Sequence, residues 1–311
     1  MSLLVAVTGR NNSKLMAKLQ SLLPDVSILE YDETSPQDTM RYHDVLFVLA
    51  WNPPQTMWEK LPNLKGISSY GAGVDALLGQ AELPSVPVAR IVDPNLGHCM
   101  SEYVLHAIGY FKLRFNQYLN NKHESLWKPR RTKAGNKVGI LGLGQLGKEV
   151  GQSLHRAGYE VAGWSQSVKS IEGITCYSGQ EQLFQMLASL DYVVCLLPLT
   201  AQTQGILNQS LFEQLPQGAV LINVARGAHL NEQDLLDVLD SGHLAGAALD
   251  VFNTEPLPEH HAFWQQPNVL LTPHISAVTS VDTACEQIAD NYQRSTQGRA
   301  LLNGVDRHLG Y

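Results

Sequence analysis

Short apolar runs of strand length, separated by stretches of helical spacing, recur along almost the whole chain. Residues 3–7, 45–50 and 64–69 are such runs, and 86–92 is a further candidate, broken by Pro87 and closed by Asp93-Pro94. After the first run, Leu15, Met16, Leu19, Leu22 and Leu23 fall on one helical face, with Ser13 placed to cap it. Asn52-Pro53-Pro54 and Gly71-Ala72-Gly73 end the second and third runs as turns. A second series occupies 138–141, 159–164, 192–197, 219–224, 245–251 and 269–271. Strands alternating with helices in this way predict βαβ units and mainly parallel sheets.

A long helical stretch over 99–120 and a basic, polar segment over 122–136 lie between the two series. The second series has the strand number of a complete dinucleotide-binding sheet, and the helical pattern over 281–297 runs away from it. The expected division is therefore a dinucleotide-binding domain over 97–284 and another domain made of 1–96 with 285–311. A length of 311 residues suits two domains.

Composition narrows the classes. Net charge is −7, from 22 basic and 29 acidic side chains, which argues against a protein that coats nucleic acid or an anionic membrane. No apolar run approaches the length of a membrane span. Residues 1–9 have no basic lead and read as a first strand, not a secretory signal. Cys99, Cys176, Cys195 and Cys285 show no CxxC spacing, so neither a zinc site nor a redox dithiol is indicated, and a reducing cytoplasm fits best. Cys195 reads as a core thiol. No His/Asp/Glu spacing suggests a metal.

The first chemical motif is Gly142-Leu143-Gly144-Gln145-Leu146-Gly147, directly after the run at 138–141 and before a helical stretch. A lone GxGxxG is weak evidence; between strand and helix it has the context that a dinucleotide fingerprint requires. Gly142 permits the tight turn, Gly144 lets backbone approach a pyrophosphate, and Gly147 lets helix pack on strand. The helix N-terminus then offers free N–H groups to the phosphates. After the next strand an NAD site would carry an acid for the ribose hydroxyls. Ser165 stands there instead, and Ser165, Ser167 and Lys169 could hold a 2′-phosphate that an acid would repel. The bland alternative is a solvated polar loop. The balance favours NADPH, with NADH still usable.

Polar groups then appear at successive strand ends. Arg226, in Asn223-Val224-Ala225-Arg226-Gly227, could grip a carboxylate with two parallel hydrogen bonds, or be a surface arginine. Asp250, in an otherwise apolar strand, could bond nicotinamide or its ribose, or serve as a cap. His274, in Thr272-Pro273-His274, titrates near ~6.5 and could supply a proton to a carbonyl oxygen, while Glu255 could stabilise its protonated form. A lone histidine after a strand is more often structural. The company of Arg226, Asp250 and Glu255 makes this one a general-acid candidate. His98, His106, His260 and His261 read as helix and loop residues.

Together the glycine loop, 223–227, Leu249-Asp250-Val251-Phe252, Glu255-Pro256-Leu257 and Thr272-Pro273-His274 resemble the D-isomer-specific 2-hydroxyacid dehydrogenases. Trp51-Asn52-Pro53-Pro54, Gly71 to Asp75, Leu126 to Pro129, Trp164-Ser165, Ala277-Val278-Thr279 and a tail ending Gly310-Tyr311 extend the resemblance over essentially the whole chain, toward the glyoxylate/hydroxypyruvate reductase branch. The resemblance implies two doubly wound parallel-sheet domains, a Rossmann nucleotide domain and a flavodoxin-like substrate domain, in a cytoplasmic homodimer joined through the nucleotide domains. It implies that Arg226 orients the substrate carboxylate with the amides of Ala72 and Gly73, that His274 is the acid/base, and that Glu255 supports it. The cofactor contacts would be Gly142, Gly144, Gln145, Leu146, Gly147, Ser165, Ser167, Lys169, Leu197, Pro198, Thr203, Ala225 and Asp250. Trp51 would wall the substrate pocket, and Trp127 would reach the partner's. Gln166 and Val168 replace two arginines usual in the branch, which implies a weaker preference for NADPH. Pyruvate or phenylpyruvate are alternative 2-oxo acid substrates. A nicotinamide-sensing corepressor is the alternative from another class, and relatives of that kind carry flexible tails. Formate dehydrogenases carry glutamine where Glu255 stands, so Glu255 favours carbonyl reduction.

Overall fold

The computed structural model describes residues 1–32, 40–307 and 310; Tyr311, cited above in the tail, lies outside them. Along the chain the elements are β1 (Ser2–Val7), α1 (Ser13–Leu22), β2 (Ser27–Glu30), β3 (Val45–Trp51), β4 (Gly66–Ser69), α2 (Asp75–Leu78), β5 (Val88–Ala89), α3 (Pro94–Lys112), α4 (Phe115–His123), β6 (Lys137–Leu141), α5 (Gln145–Arg156), β7 (Glu160–Ser165), β8 (Thr175–Ser178), α6 (Gly179–Leu187), β9 (Tyr192–Cys195), α7 (Gln209–Phe212), β10 (Ala219–Asn223), α8 (Glu232–Asp240), β11 (Leu244–Leu249), β12 (Val269–Leu271) and α9 (Val281–Thr296). They form two compact units, 1–95 with 279–311 and 96–278.

The first unit holds a five-stranded sheet in the order β2-β1-β3-β4-β5, every pairing parallel. This is the flavodoxin-like doubly wound order. Alternation along β1 feeds two cores. Leu3, Val5 and Val7 pack with Leu15 and Leu19 of α1 and with Ala284, Cys285, Ile288 and Tyr292 of α9. Leu4 and Ala6 pack on the other face with Val48, Met57, Trp58 and Ile67. The C-terminal helix thus completes the N-terminal sheet. With burial of each such Leu or Ile contributing about 1.5–3 kcal/mol, these two faces hold most of the unit's stabilisation.

The second unit holds a seven-stranded parallel sheet, β12-β11-β10-β9-β6-β7-β8. Counted from β6, six of these strands follow the dinucleotide-binding order, with β12 added beyond β11. One face is covered by Met100, Val104, Ile108 and Phe111 of α3 with Val150 and Leu154 of α5. The other is covered by Leu183, Met186 and Leu187 of α6 with Leu235, Val238 and Leu239 of α8. Cys195 is a fully buried core thiol whose pKa burial pushes up to about 12.

Four expectations need correction. Only Val88–Ala89 of the run at 86–92 joins the sheet, because the Arg90 and Ile91 amides bond the carbonyls of Asn303 and Gly71 instead. The helix read over 99–120 is two helices, broken at Arg114, which takes φ 62° and donates from Nε to the Arg131 carbonyl at 2.7 Å. Ser13 opens α1 without capping it; its amide bonds Asn11 Oδ1 at 2.8 Å. The second sheet has seven strands where six were read, β8 being the addition.

Candidate active site

At the end of β6 the chain turns through Gly142 at φ +105°, a conformation that side chains rarely adopt. The Gly142 amide donates to the Trp164 carbonyl at 2.8 Å, tying the turn to the end of β7. A Cβ on Gly147 would overlap the Gly142 carbonyl, so only glycine lets α5 begin so close to β6. Gly144 differs: its φ is −72°, and a Cβ there would meet no protein atom. Nothing in the fold demands glycine at 144, so the open space over that backbone suits the close approach of a ligand. Gln145, Leu146 and Gly147 follow as the first turn of α5, with its unpaired N–H groups.

Ser165 ends β7 beside this loop and is nearly buried; its Oγ donates to the Ser167 carbonyl at 2.8 Å. Ser167 and Lys169 are exposed on the segment that follows. Leu197 and Pro198 follow β9, next to β6 in the sheet. Thr203 Oγ1 donates to the Pro198 carbonyl at 2.7 Å, closing that turn. Ala225 follows β10, with its amide on Asn223 Oδ1 at 3.2 Å. These groups stand at the C-terminal ends of β6, β7, β9 and β10, where strand order reverses between β6 and β9 and doubly wound sheets bind ligands.

Arg226 leaves β10 from a turn fixed by Asn223, whose Nδ2 donates to the Arg226 carbonyl at 3.0 Å. Gly227 lies so close to the backbone of Phe252 and Asn253 that a Cβ would overlap it. That contact draws the Arg226 turn against the segment that leads to Glu255. His229, fully buried, sets its Nδ1 3.2 Å from the Arg226 carbonyl and its Nε2 3.2 Å from the Pro198 carbonyl. It thereby ties the turn after β9 to the turn after β10.

Asp250, just past β11, is fully buried. Its Oδ1 accepts from Thr272 Oγ1 at 2.6 Å and from the Ile275 amide at 2.8 Å, and its Oδ2 accepts from the Ser276 amide at 2.8 Å. The His274 amide donates to the Asp250 carbonyl at 2.9 Å. These bonds hold His274 at φ 55°, a conformation that costs of order 1–3 kcal/mol and persists because its surroundings impose it. His274 Nδ1 then meets Glu255 Oε2 at 2.8 Å, while Glu255 Oε1 accepts from the Phe252 amide at 2.9 Å.

The electrostatics follow from this pairing. The hydrogen bond to Glu255 and its charge raise the His274 pKa above its usual value, against burial and the Arg226 charge. Burial works to raise the Glu255 carboxyl, but the bonds from His274 and Phe252 and the nearby cationic charges outweigh it and hold the group below the usual carboxylate range. Both side chains are more than a third exposed, so solvent screens the pair and its value lies in fixing the imidazole.

In the other unit, Trp51 lies half-buried on the turn at 71–73; a Cβ on Gly71 would overlap its ring. Ser69 Oγ donates to the Gly73 carbonyl at 2.9 Å and accepts from the Gly71 amide at 3.3 Å. Trp51, Ala72 and Gly73 are therefore one cluster. Trp127 belongs to the second unit and stands 98 % exposed on the segment after α4.

Residues 109–276 match the model of the D-isomer specific 2-hydroxyacid dehydrogenase NAD-binding domain. The chain belongs to this family. It is 41 % identical over 306 residues, 95 % of each chain, to glyoxylate/hydroxypyruvate reductase A of Yersinia enterocolitica. It is 39 % identical over 303 residues, 94 % of each chain, to the Salmonella paratyphi B protein of the same name. A Xanthobacter autotrophicus family member solved with NADPH superposes with a TM-score of 0.92 at 36 % identity, covering 100 % of this chain and 99 % of that one. The NADPH-dependent glyoxylate/hydroxypyruvate reductase of Sinorhizobium meliloti, solved with NADP and sulfate, gives 0.92 at 32 % identity with both chains fully covered.

For this dehydrogenase, two residues escaped the sequence reading, His229 after β10 and Tyr103 on α3. His229 carries a signal, a histidine between Ala228 and Leu230, but the Pro198 carbonyl that it faces is 31 residues away. Tyr103 and Thr272 join only through the fold. Among the described residues no three His, Cys, Asp or Glu are grouped as metal ligands are, and no helix is long and apolar enough to cross a membrane.

The pair yields a direct prediction. Replacing Glu255 with Gln removes the negative charge and leaves only a neutral amide oxygen to accept from His274, so the ring titration, followed by NMR, moves down toward or below ~6.5. The signs for stability follow from the two directions. The raised histidine stabilises the fold fully below its unfolded value and loses that contribution as pH rises through its folded value. The depressed carboxyl contributes above ~4.3 and loses its share as pH falls through its lower folded value. The parent's extra stability over Glu255→Gln is thus largest between ~4.3 and ~6.5. An unmoved ring titration would show that Glu255 does not set the His274 proton.

Proposed function

We propose that the chain is a cytoplasmic NADPH-dependent reductase of small 2-oxo acids, taking glyoxylate to glycolate and hydroxypyruvate to glycerate. The observation that carries this reading is the 2.8 Å pair of His274 and Glu255, in the same unit as the Gly142–Gly147 loop and Arg226. Relatives at 39–41 % identity bear the reductase name, and two of the superposed structures hold NADPH or NADP. The four cysteines are free thiols, which fits a reducing compartment.

The residues present fit a dinucleotide. The open backbone at Gly144 and the first turn of α5, with Gln145, Leu146 and Gly147, would hold the pyrophosphate. Ser165, Ser167 and Lys169 would hold the 2′-phosphate, and no carboxylate stands between Val161 and Ile171 to repel it. Leu197, Pro198, Thr203, Ala225 and Asp250 would line the nicotinamide end. Lys169 is the one cation of that stretch, with Gln166 and Val168 beside it, so NADH remains a usable second coenzyme. Bound there, reduced nicotinamide supplies the hydride that goes to C2 of the substrate.

The protein's own groups do the rest. Arg226 holds the substrate carboxylate through the parallel N–H groups of its guanidinium. Protonated His274, its Nδ1 committed to Glu255, donates from Nε2 to the carbonyl oxygen as C2 is reduced. The imidazolium and guanidinium charges stabilise the negative charge that develops on that oxygen. The unit of 1–95 with 279–311 takes the role of substrate domain and the unit of 96–278 that of dinucleotide-binding domain.

The working form is a homodimer joined through the nucleotide domains. Leu113, Phe115, Leu119, Leu126 and Trp127 are exposed apolar side chains before, on and after α4, the kind of surface that a partner covers. A second copy covers it, and Trp127 reaches the partner's substrate site.

Loss of reduced-nicotinamide absorbance, followed with NADPH and NADH against glyoxylate, hydroxypyruvate and pyruvate, tests the reading. Turnover is expected to be fastest with NADPH and the two smaller candidates. A protein that binds NADPH but turns over none of them would overturn the substrate assignment and favour a nicotinamide-sensing role.

A further inference from the structure

A hydrogen-bond chain reaches the His274 loop from α3, an element that carries none of the proposed catalytic or cofactor-binding groups. Tyr103 Oη lies 2.6 Å from Thr272 Oγ1, and Thr272 Oγ1 lies 2.6 Å from Asp250 Oδ1. The direction of donation is fixed by chemistry. An ionised carboxylate only accepts, so the single Thr272 proton points to Asp250. Tyr103 must then donate to Thr272. Burial pushes the Tyr103 hydroxyl up to about 12, which keeps that proton in place over the whole working range. At the far end of the chain, Asp250 accepts from the amides of Ile275 and Ser276, the two residues after His274. A phenol, a threonine and a carboxylate therefore act in series on the backbone that holds His274 at positive φ.

We propose that Tyr103 is a positioning residue for His274, its hydroxyl acting through Thr272 and Asp250 to fix the 272–276 loop and so the direction of the imidazole. This rests on the reading of His274 as general acid. Without the Tyr103 proton, Thr272 keeps its bond to Asp250 but can rotate, and the carboxylate loses a polarised donor. The loop then samples other conformations, because φ 55° is not one that histidine prefers on its own.

Tyr103→Phe removes one oxygen and keeps the ring, and Thr272→Ser keeps the hydroxyl that Thr272→Val removes. In Tyr103→Phe, kcat for glyoxylate with NADPH is expected to fall roughly 3- to 10-fold, as for one lost hydrogen bond, with KM changed less than about twofold. Hydrogen exchange at the Ile275 and Ser276 amides is expected to quicken by about tenfold, and the alkaline limb of the kcat profile to shift. Thr272→Ser should match the parent. Thr272→Val should fall at least as far as Tyr103→Phe, and the double variant no further than Thr272→Val, because the two hydroxyls act as one chain. Parental kcat, pH profile and amide exchange in Tyr103→Phe would overturn the inference, as would a lower kcat with unchanged exchange at 275–276. The exchange readout separates the two readings. Faster exchange in Tyr103→Phe, together with parental kcat in His274→Ala, upholds the hold on the loop and overturns the general acid. Unaltered exchange, with kcat lost in His274→Ala, overturns the role of Tyr103 alone.

Discussion

His274→Ala is expected to lower kcat for glyoxylate reduction on the order of 10²- to 10⁴-fold, the usual worth of a positioned general acid. The affinity for NADPH should change little, because the glycine loop and the groups after β7 do not depend on the 272–276 loop. The size follows from the proton's destination. Hydride arriving at C2 leaves an alkoxide on the neighbouring oxygen, and water is a poor donor at neutral pH. An imidazolium whose pKa is raised by Glu255 is both charged and ready to give up its proton. The Nδ1 bond to Glu255 leaves Nε2 as the donating atom and fixes the tautomer that remains after transfer. Stopped-flow measurement with NADPH saturating separates the chemical step from product release. A variant with kcat within about threefold of the parent would show that the proton comes from elsewhere.

The pH dependence gives the same assignment a second test, because reduction needs His274 protonated. Activity in the reductive direction should fall as pH rises through the raised imidazole pKa, above the ordinary ~6.5. Oxidation of the product 2-hydroxy acid needs the neutral imidazole and should rise over the same window.

The residues proposed to carry chemistry are easier to read from the sequence than the scaffold around them. GxGxxG between a strand and a helix is a local pattern, and so are Arg226, Glu255 and His274 in their flanking sequences. Each short buried strand declares itself by an apolar run. The strands that escaped, β2 and β8, are edge strands whose sequences SILE and TCYS place few apolar side chains in line. The break at Arg114 was hidden because apolar residues continue through Leu113 and Phe115 on either side of it; the decisive bond goes to Arg131, far along the chain. The run at 86–92 looked longer than its two paired residues because β-pattern does not say which backbone a strand will meet. The Tyr103–Thr272–Asp250 chain spans 169 residues between its first two members, and no spacing rule reaches that far. What remained hidden was therefore the set of long-range bonds that hold the readable residues in place.

Arg226 is where the second large effect is expected. Arg226→Ala should reduce kcat/KM for glyoxylate on the order of 10²- to 10³-fold, as when one partner of a desolvated charge pair is removed. Lysine should restore little of it. A guanidinium presents parallel N–H groups that match the two oxygens of a carboxylate, and an ammonium is a single point of charge. Gly227 and Asn223 build the turn that presents the guanidinium, so the loss belongs to the side chain and not to the backbone. The same substitution has a second, opposite signature. The Arg226 charge now lowers the His274 pKa and helps to hold the Glu255 carboxyl down. Removing it should move the His274 titration upward while catalysis falls. A structural collapse of the loops would instead loosen the His274–Glu255 pair and move that titration down. An enzyme with parental kcat/KM would place the carboxylate anchor elsewhere; one with depressed activity and a lowered His274 pKa would make Arg226 a scaffold residue. Lower kcat/KM together with a raised His274 titration is the combination that only a substrate-facing guanidinium beside the acid–carboxylate pair produces.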